Sequence, residues 1–289
     1  MTTFYTTIPV SHALWPVAAE FVGNEMTWRP QRGNFQQELI YTYKEESLRL
    51  ANLLTRRELV AMAADNCDAI NQFLKNLGFN ISLDDQGNGL GYLYAASVMK
   101  LFGEWLFPGV KGYFLPLLGR PGFRLPATGL GFYEYKGRTV VEIPTSRRGM
   151  SVLVSEPSCV GGPSQAEDWL FTSLGKKKSK GNGIILPAIT VTEINVDLSK
   201  LQGMKTEDSW RVVQALMAFK FALNQRHVSL EAAFAYSAAK GIVFEDPKLP
   251  EDGDYIADHP LNFALVMQGH ALPLAVGLVG REHMDPMIY

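Results

Sequence analysis

The sequence predicts an α+β fold with N-terminal helices, a central mainly antiparallel β-sheet and C-terminal helices. Apolar residues recur at helical spacing before residue 108 and again from residue 206 to residue 280. Between these regions, Gly, Pro and alternating β-formers become frequent. We therefore divide the chain into an N-terminal arm at 1–40, a helical region at 41–108, a β-rich region with a basic loop at 109–204 and a C-terminal helical region at 205–289.

The N-terminal region combines chain breakers with one strongly capped helical pattern. Prolines and scattered tryptophans in residues 1–40 predict an extended arm with one short helix, which packs on its own body or on a neighbouring subunit. Residues 43–54 predict a helix. Thr55 and Glu58 then form a capping box that begins a second helix, which ends at Gly78.

Four later segments also carry helical patterns. They lie at 92–106, 206–227, 229–241 and, in part, 260–280, where Pro273 interrupts the pattern. The apolar face of the 206–227 segment consists of Val213, Leu216, Met217 and Leu223.

The segment between the helical regions predicts a sheet of roughly four to six antiparallel strands. Residues 131–144 read GFYEYKGRTVVEIP, and the central Lys136-Gly137 pair is a hairpin signal. Residues 150–155 form a short apolar run typical of a buried strand, and residues 190–196 alternate between apolar and polar side chains.

Composition limits the classes of function. Hydrophobic residues make up 47% of the chain and charged residues 19%. The charged share is below the ~25% typical of soluble proteins, so we expect part of the surface to be buried against other subunits. A net charge of −2 argues against a dedicated nucleic-acid binder but allows a local basic patch.

Cysteine usage and the absence of a targeting pattern predict the compartment. The two cysteines, Cys67 and Cys159, are too few for a disulfide framework. The sequence shows no signal peptide and no apolar run long enough to cross a bilayer. We therefore expect a cytoplasmic or intracellular protein with no membrane partner.

The most distinctive charge feature is a basic loop flanked by glycines, SLGKKKSKGNG, at residues 173–183. Two interpretations remain open, a solvated loop and a contact with an anionic partner such as nucleic acid, phosphate or an acidic protein surface. A turn with adjacent arginines would enlarge the patch if both turns lie at one end of the sheet. The candidate residues for binding an anion or nucleic acid are Lys176, Lys177, Lys178, Lys180, Arg147 and Arg148.

An acidic segment at residues 244–258 provides the opposite charge. It carries six acidic residues and one lysine. Attraction between this segment and the basic loop of another copy would give a head-to-tail homo-oligomer, whereas independent solvation of both segments is the alternative. The candidate subunit-contact residues are Asp246, Glu251, Asp252 and Asp254.

The sequence contains no recognisable catalytic or cofactor motif. The nucleophile elbow, the Walker A loop and the HExxH motif are absent from it. We therefore predict no cofactor and no metal, and we assign no catalytic residue. If the protein is an enzyme, its site would be drawn from His227, His259, His270 and Cys159.

Several segments resemble the serpins, in the order in which that family has them. LFGEW at residues 101–105 is similar to a serpin strand-end motif, and ILPAITVTEINVDLSKLQGM at 185–204 resembles the family's Leu-Pro strand followed by Asp-Leu and Gly. DHPLNFALVM at 258–267 and VGREHMDP at 279–286 resemble its C-terminal signature. The Glu-Gly-Thr hinge before the Ala-rich reactive loop is missing, and AYSAAKG at 235–241 reads as helix. The resemblance therefore implies a serpin-like protein without protease inhibition by loop insertion.

These patterns favour a non-enzymatic, self-assembling structural protein, a subunit of a shell, filament or larger complex whose basic loop contacts an anionic partner. Three alternatives remain: a nucleic-acid-binding, RNA-binding module of a ribonucleoprotein complex, an enzyme with a site not visible from sequence, and a degenerate serpin-like protein. Salt-dependent affinity would favour the nucleic-acid-binding module. A histidine with a perturbed pKa in a closed pocket would favour the enzyme.

Overall fold

The computed structural model of the chain describes residues 2–87, 92–135, 138–156, 180–230 and 248–285. Its helices precede most of its strands. The α-helices of the described residues are α1 (Ile8–His12), α2 (Ala18–Val22), α3 (Gly33–Glu38), α4 (Lys44–Ala51) and α5 (Cys67–Asn76). The π-helical segment Ala13–Val17 joins α1 to α2, and Leu39–Tyr43 joins α3 to α4. Among the described residues, no helix is both long and apolar enough to cross a bilayer.

The strands of the described residues run from one end of the chain to the other. Their bounds are β1 (Thr3–Tyr5), β2 (Trp28–Arg29), β3 (Leu59–Ala64), β4 (Tyr94–Met99), β5 (Leu101–Glu104), β6 (Val110–Leu115), β7 (Arg120–Pro126), β8 (Gly131–Tyr135), β9 (Arg138–Pro144), β10 (Met150–Ser155), β11 (Gly183–Leu186), β12 (Ala188–Asp197), β13 (Lys205–Thr206), β14 (Leu216–Leu223), β15 (His227–Leu230), β16 (Asp254–Ile256), β17 (Leu261–Met267), β18 (Ala275–Val279) and β19 (Met284–Asp285).

These strands form three larger sheets. The six-stranded sheet has the order β1-β18-β17-β10-β9-β8, the four-stranded sheet β16-β11-β7-β6 and the five-stranded sheet β19-β12-β14-β15-β5. The six- and five-stranded sheets pack face to face through aromatic rings. Phe221 of β14 stacks on Phe263 of β17 with ring centroids 4.3 Å apart, and Phe4 lies 5.6 Å from Phe219. Burial of these rings supplies a large part of the apolar core.

The predicted fold class is confirmed as α+β, with N-terminal helices and a large antiparallel sheet. The predicted C-terminal helices are wrong for the described residues, which form strands from β13 to β19. In β14, Met217, Phe219, Phe221 and Leu223 are buried, and the residues between them are more exposed. This alternation has the period of a strand, so one face of the segment enters the core and the other does not. The four-part division of the chain stays a prediction.

One of the predicted N-terminal helices is also corrected. Residues 55–78 form a turn, β3 and α5 instead of one helix. Glu58 does accept from the backbone N–H of Thr55 at 2.8 Å, but this contact closes the turn before β3. The true N-cap of α5 is Asn66, whose side chain accepts from the Ala69 N–H at 3.0 Å. Gly78 follows α5 with φ of +87°, as a C-terminal glycine does.

Residues 92–106 and 1–40 differ from expectation as well. The former contains β4 and β5, and the buried side chains of β4 include Tyr94, Ala96 and Val98 at every second position. The N-terminal arm is helical over 8–22 and again from residue 33, and it packs on its own body, where Gln36 donates a side-chain N–H to the Lys200 carbonyl at 2.8 Å.

Candidate functional site: a gap in the five-stranded sheet

A tight turn joins β14 to β15. The Asn224 N–H donates to the His227 carbonyl at 3.0 Å, which closes a hairpin with Gln225 and Arg226 at its tip. The Asn224 side-chain oxygen accepts from the N–H groups of Arg226 and His227 at 2.8 and 3.2 Å. Asn224 therefore fixes both the turn and the direction in which β15 leaves it.

β15 lies inside the five-stranded sheet, between β14 and β5. Residues 228–230 are paired on both sides, and the last of them, Leu230, lies opposite Phe221 on one side and Leu101 on the other. At the other end of β15, His227 lies opposite Glu104. Both pairings are antiparallel, so both edges of β15 face a neighbouring strand.

Two residues of the LFGEW segment hold this arrangement. Trp105 donates its backbone N–H to the Arg226 carbonyl at 2.9 Å and its indole N–H to the Asn224 carbonyl at 2.7 Å. Gly103 has room for no side chain, because an added Cβ would lie 2.5 Å from the Met150 methyl group and 3.0 Å from Thr145. A glycine here lets β5 approach the six-stranded sheet closely.

His227 occupies the first position of β15. Its ring lies 4.9 Å from the exposed ring of Phe102, and its Nε2 is 3.2 Å from the Asn224 side-chain nitrogen. Burial lowers the pKa of His227, and nearby Glu104 opposes that change. A half-buried, neutral imidazole is therefore favoured at this position near neutral pH.

Beyond Leu230, a cavity of about 160 Å³ lies between β14 and β4. Within the described part of the chain, β14 pairs with β12 and β15, and β4 pairs with β3 alone. Among the described residues, the edge of β14 that faces β4 therefore has no strand partner over residues 216–220. The two strand segments that line the cavity are 95–99 and 215–220, and Leu230 lines it as well.

The described end of β15 lies at this cavity. Its pairing with β14 places residue 230 opposite 221, and the neighbouring residues 216–220 of β14 line the cavity. Its pairing with β5 places 230 opposite 101, and the preceding residues 95–99 line the cavity as well. The cavity thus lies next to Leu230, between the edges of β14 and β4.

Helical residues and one loop form the rest of the cavity wall. Leu74 of α5 and Phe79 just after it contribute apolar surface, together with Pro9, Val10, Ala13 and Leu14 near α1. His12 connects the wall to β4, since its Nδ1 lies 3.1 Å from the Ser97 hydroxyl oxygen. Burial lowers the pKa of His12.

The predicted basic patch is described only in part. Lys176, Lys177 and Lys178 lie outside the described residues. Lys180 is exposed and, like Pro144, lines a cavity beside β8. In the turn after β9, Arg147 forms an ion pair with Glu58 of the same chain. Its neighbour Arg148 is exposed.

Two of the four predicted subunit-contact acids lie close to a cation of their own chain. Arg124 donates to both carboxylate oxygens of Asp254, at 2.8 and 3.0 Å, and lies 2.8 Å from Glu251. The hydrogen bond with Asp254 is the largest cause that raises the pKa of Arg124. Asp252 is exposed, and Asp246 lies outside the described residues.

The candidate catalytic residues are separated. His259 lies 3.0 Å from its neighbour Asp258, and His270 lies 2.8 Å from Glu46 of α4. His227 is at the β14–β15 turn, and Cys159 lies outside the described residues. In the described ranges, no three His, Cys, Asp or Glu side chains are grouped as they would be around a metal ion.

Comparison with known proteins shows similarity at the level of structure. No protein-family model and no curated protein sequence matches the chain. It is similar to thyroxine-binding globulin in complex with thyroxine, with 10% identity, coverage of 99% of this chain and 93% of that one, and a TM-score of 0.53. A structure of the human globulin with its ligand gives 12% identity, coverage of 100% and 93%, and a TM-score of 0.51. SRPN18 from Anopheles gambiae gives 14% identity, coverage of 99% and 93%, and a TM-score of 0.50.

These comparisons correct the function favoured by the sequence patterns. The matched proteins are serpins, which are neither self-assembling shell proteins nor nucleic-acid binders. The interpretation as a self-assembling, nucleic-acid-binding structural protein is therefore wrong, and the serpin-like alternative is the one supported. The expected homo-oligomer and intracellular location stay predictions. At these identities the similarity shows the fold alone, and that fold is a serpin-like α+β fold.

Proposed function

We propose that this chain is a serpin-like protein that acts by accepting an additional strand in its five-stranded sheet rather than by catalysing a reaction. The observation that carries the proposal is the cavity beyond Leu230, which lies in the register of β15 between β14 and β4. An unpaired strand edge on the β14 side of that cavity is a template for an extended segment.

The occupant that we propose is the segment that follows β15 in the sequence. Residues 231–239 read EAAFAYSAA and lie outside the described residues. Their many small side chains suit a narrow space, since Ala and Ser add little volume beyond the backbone.

The missing Glu-Gly-Thr hinge does not prevent the segment from entering the sheet at its start. β15 is already paired on both sides over residues 228–230. Arg226 is exposed at the tip of the turn, and the His227 ring lies against Phe102, so neither side chain blocks a strand position. This geometry supports strand addition, although the missing hinge had led us to expect none.

Cleavage just after the segment tests the proposal. A recognition sequence for a site-specific protease would be inserted after Gly241, and the unfolding midpoint would be measured before and after cleavage. Five or six added residues, each contributing about 1 kcal/mol through net hydrogen bonding, should raise the midpoint by roughly 10 °C. The matched control carries Ala233→Pro and Ala235→Pro, which remove two N–H donors from the segment.

An unchanged midpoint after complete cleavage would contradict the proposal. An equal rise in the proline control would also contradict it, because stabilisation would then not depend on strand pairing.

A further inference from the structure

The cavity that would receive the strand is also suited to a small ligand. We infer that it binds a small, neutral aromatic compound of one or two rings, and that the bound compound opposes strand addition. Binding itself is independent of the proposed function, whereas the regulatory effect rests on it.

The lining of the cavity sets the ligand's chemical class. Most of its side chains are aliphatic or aromatic, and they come from β4, β14, α5 and the helix around α1. The ring of Phe79 and the sulfur-containing side chains of Met99 and Met217 offer the edge and face contacts that aromatic ligands prefer. A charged ligand would be desolvated there without a counter-charge.

Three polar side chains at the wall, those of Ser97, Thr6 and Lys220, already have protein partners, whereas the edge of β14 offers backbone groups to a polar atom such as a ring N–H. Ser97 is paired with His12 at 3.1 Å, and the Thr6 hydroxyl donates to the Leu274 carbonyl at 2.7 Å. The Lys220 ammonium donates to the Gly78 carbonyl at 2.5 Å and lies 3.5 Å from Glu193. Since these three side chains are engaged, a neutral ligand leaves none of them newly unpaired.

The size of the cavity limits the ligand. Its volume of about 160 Å³ is close to the ~150 Å³ of an engineered apolar cavity that stays dry and binds benzene. A compound of one or two fused rings can fill it and gain dispersion contacts with atoms that otherwise face a void. A strand added beside residues 216–220 of β14 would have to displace the same compound, because those residues line the cavity.

The test uses indole as the probe and the methionine methyl groups as reporters. The ε-methyl groups of the full chain would be labelled with ¹³C and followed by NMR during an indole titration. Met99 and Met217 line the cavity, whereas Met26 and Met204 are buried but do not line it. We expect saturable shifts of the first two resonances and unchanged positions of the other two.

One variant in the wall and one outside it keep the test falsifiable. Ala218→Leu fills the cavity and should abolish the shifts. Leu249→Ala removes a side chain that is 76% exposed and does not line the cavity, so it should fold normally and bind indole as the wild type does. Absence of shifts at Met99 and Met217 in both the wild type and Leu249→Ala would overturn the inference. Uniform shifts of all four methyl groups would overturn it too, because they would indicate non-specific binding.

A final measurement separates this inference from the proposed function. Saturating indole should slow the stabilisation that follows cleavage after Gly241 by at least twofold. If indole binds but leaves that response unchanged, the regulatory effect is overturned. If indole binds and cleavage never stabilises the protein, the proposed function and the regulatory effect fail together, while ligand binding stands.

Discussion

The indole N–H of Trp105 donates to the carbonyl of Asn224 across 2.7 Å and connects the end of β5 to the turn that starts β15. Trp105 is 5% exposed, so this hydrogen bond is shielded from water. A second hydrogen bond, from the Trp105 backbone N–H to the Arg226 carbonyl, holds the other side of the turn at 2.9 Å. One tryptophan thus fixes the point at which the chain turns back into its own sheet.

Replacing Trp105 tests the importance of this connection. Trp105→Phe removes the indole donor and leaves the Asn224 carbonyl without that partner. We expect the free energy of unfolding to fall by about 1–3 kcal/mol, measured by urea denaturation. Phe107→Leu is the control, because Phe107 is 43% exposed and its replacement should change stability by about 0.5 kcal/mol or less. Equal effects of the two substitutions would contradict this role of Trp105.

The Arg124 cluster predicts unequal roles for its two acids. The Asp254 side chain is fully buried beside Arg124, whereas that of Glu251 is 56% exposed. Arg124→Met would leave the Asp254 carboxylate buried without its cation, at a cost of about 3–5 kcal/mol in unfolding free energy. Glu251→Gln removes an exposed partner of the same arginine and should cost about 1 kcal/mol or less. A larger loss in Glu251→Gln than in Arg124→Met would refute this ranking.

Two half-buried histidines, His12 and His227, predict that acid lowers the stability of the protein. Burial lowers the pKa of His12 and of His227. As pH falls below about 6.5, these groups take up protons in the unfolded chain before they do so in the folded one. The unfolded state then binds more protons, so stability falls with pH in this window and is unaffected above it.

Urea unfolding at a series of pH values from 8 to 5 measures this effect. We expect a flat region near pH 8 and a decline below pH 6.5 that is shallower in His12→Gln/His227→Gln. An unchanged slope in the double variant would show that other groups cause the decline.

Local signals in the sequence predicted the central antiparallel strands well. The apolar run at 150–155 and the alternation at 190–196 correspond to β10 and to part of β12. Asn66 could have been recognised as an N-cap, since it precedes the apolar pattern of α5. Pairing across the sheet, by contrast, joins β5 to β15 over more than a hundred residues, and no local pattern specifies that partner.

The candidate site was missed because its strands were interpreted as helices. In residues 216–223, Met217, Phe219, Phe221 and Leu223 alternate with Ala218, Lys220 and Ala222, which is a strand pattern. The small residues Ala95, Ala96 and Ala218 raise helix propensity locally, and tertiary pairing overrides that preference. The resemblance of LFGEW to a serpin strand end indicated β5 correctly where periodicity did not.

Hydrogen exchange at the backbone amides of β14 tests the central claim most directly. The N–H groups of residues 216–220 would be compared before and after cleavage of the chain that carries a protease site behind Gly241. If the segment after Leu230 joins the sheet, those amides that face the gap should exchange at least tenfold more slowly after cleavage, and the Ala233→Pro/Ala235→Pro chain should show no such change. Unchanged exchange at residues 216–220 after complete cleavage would contradict strand addition at this site.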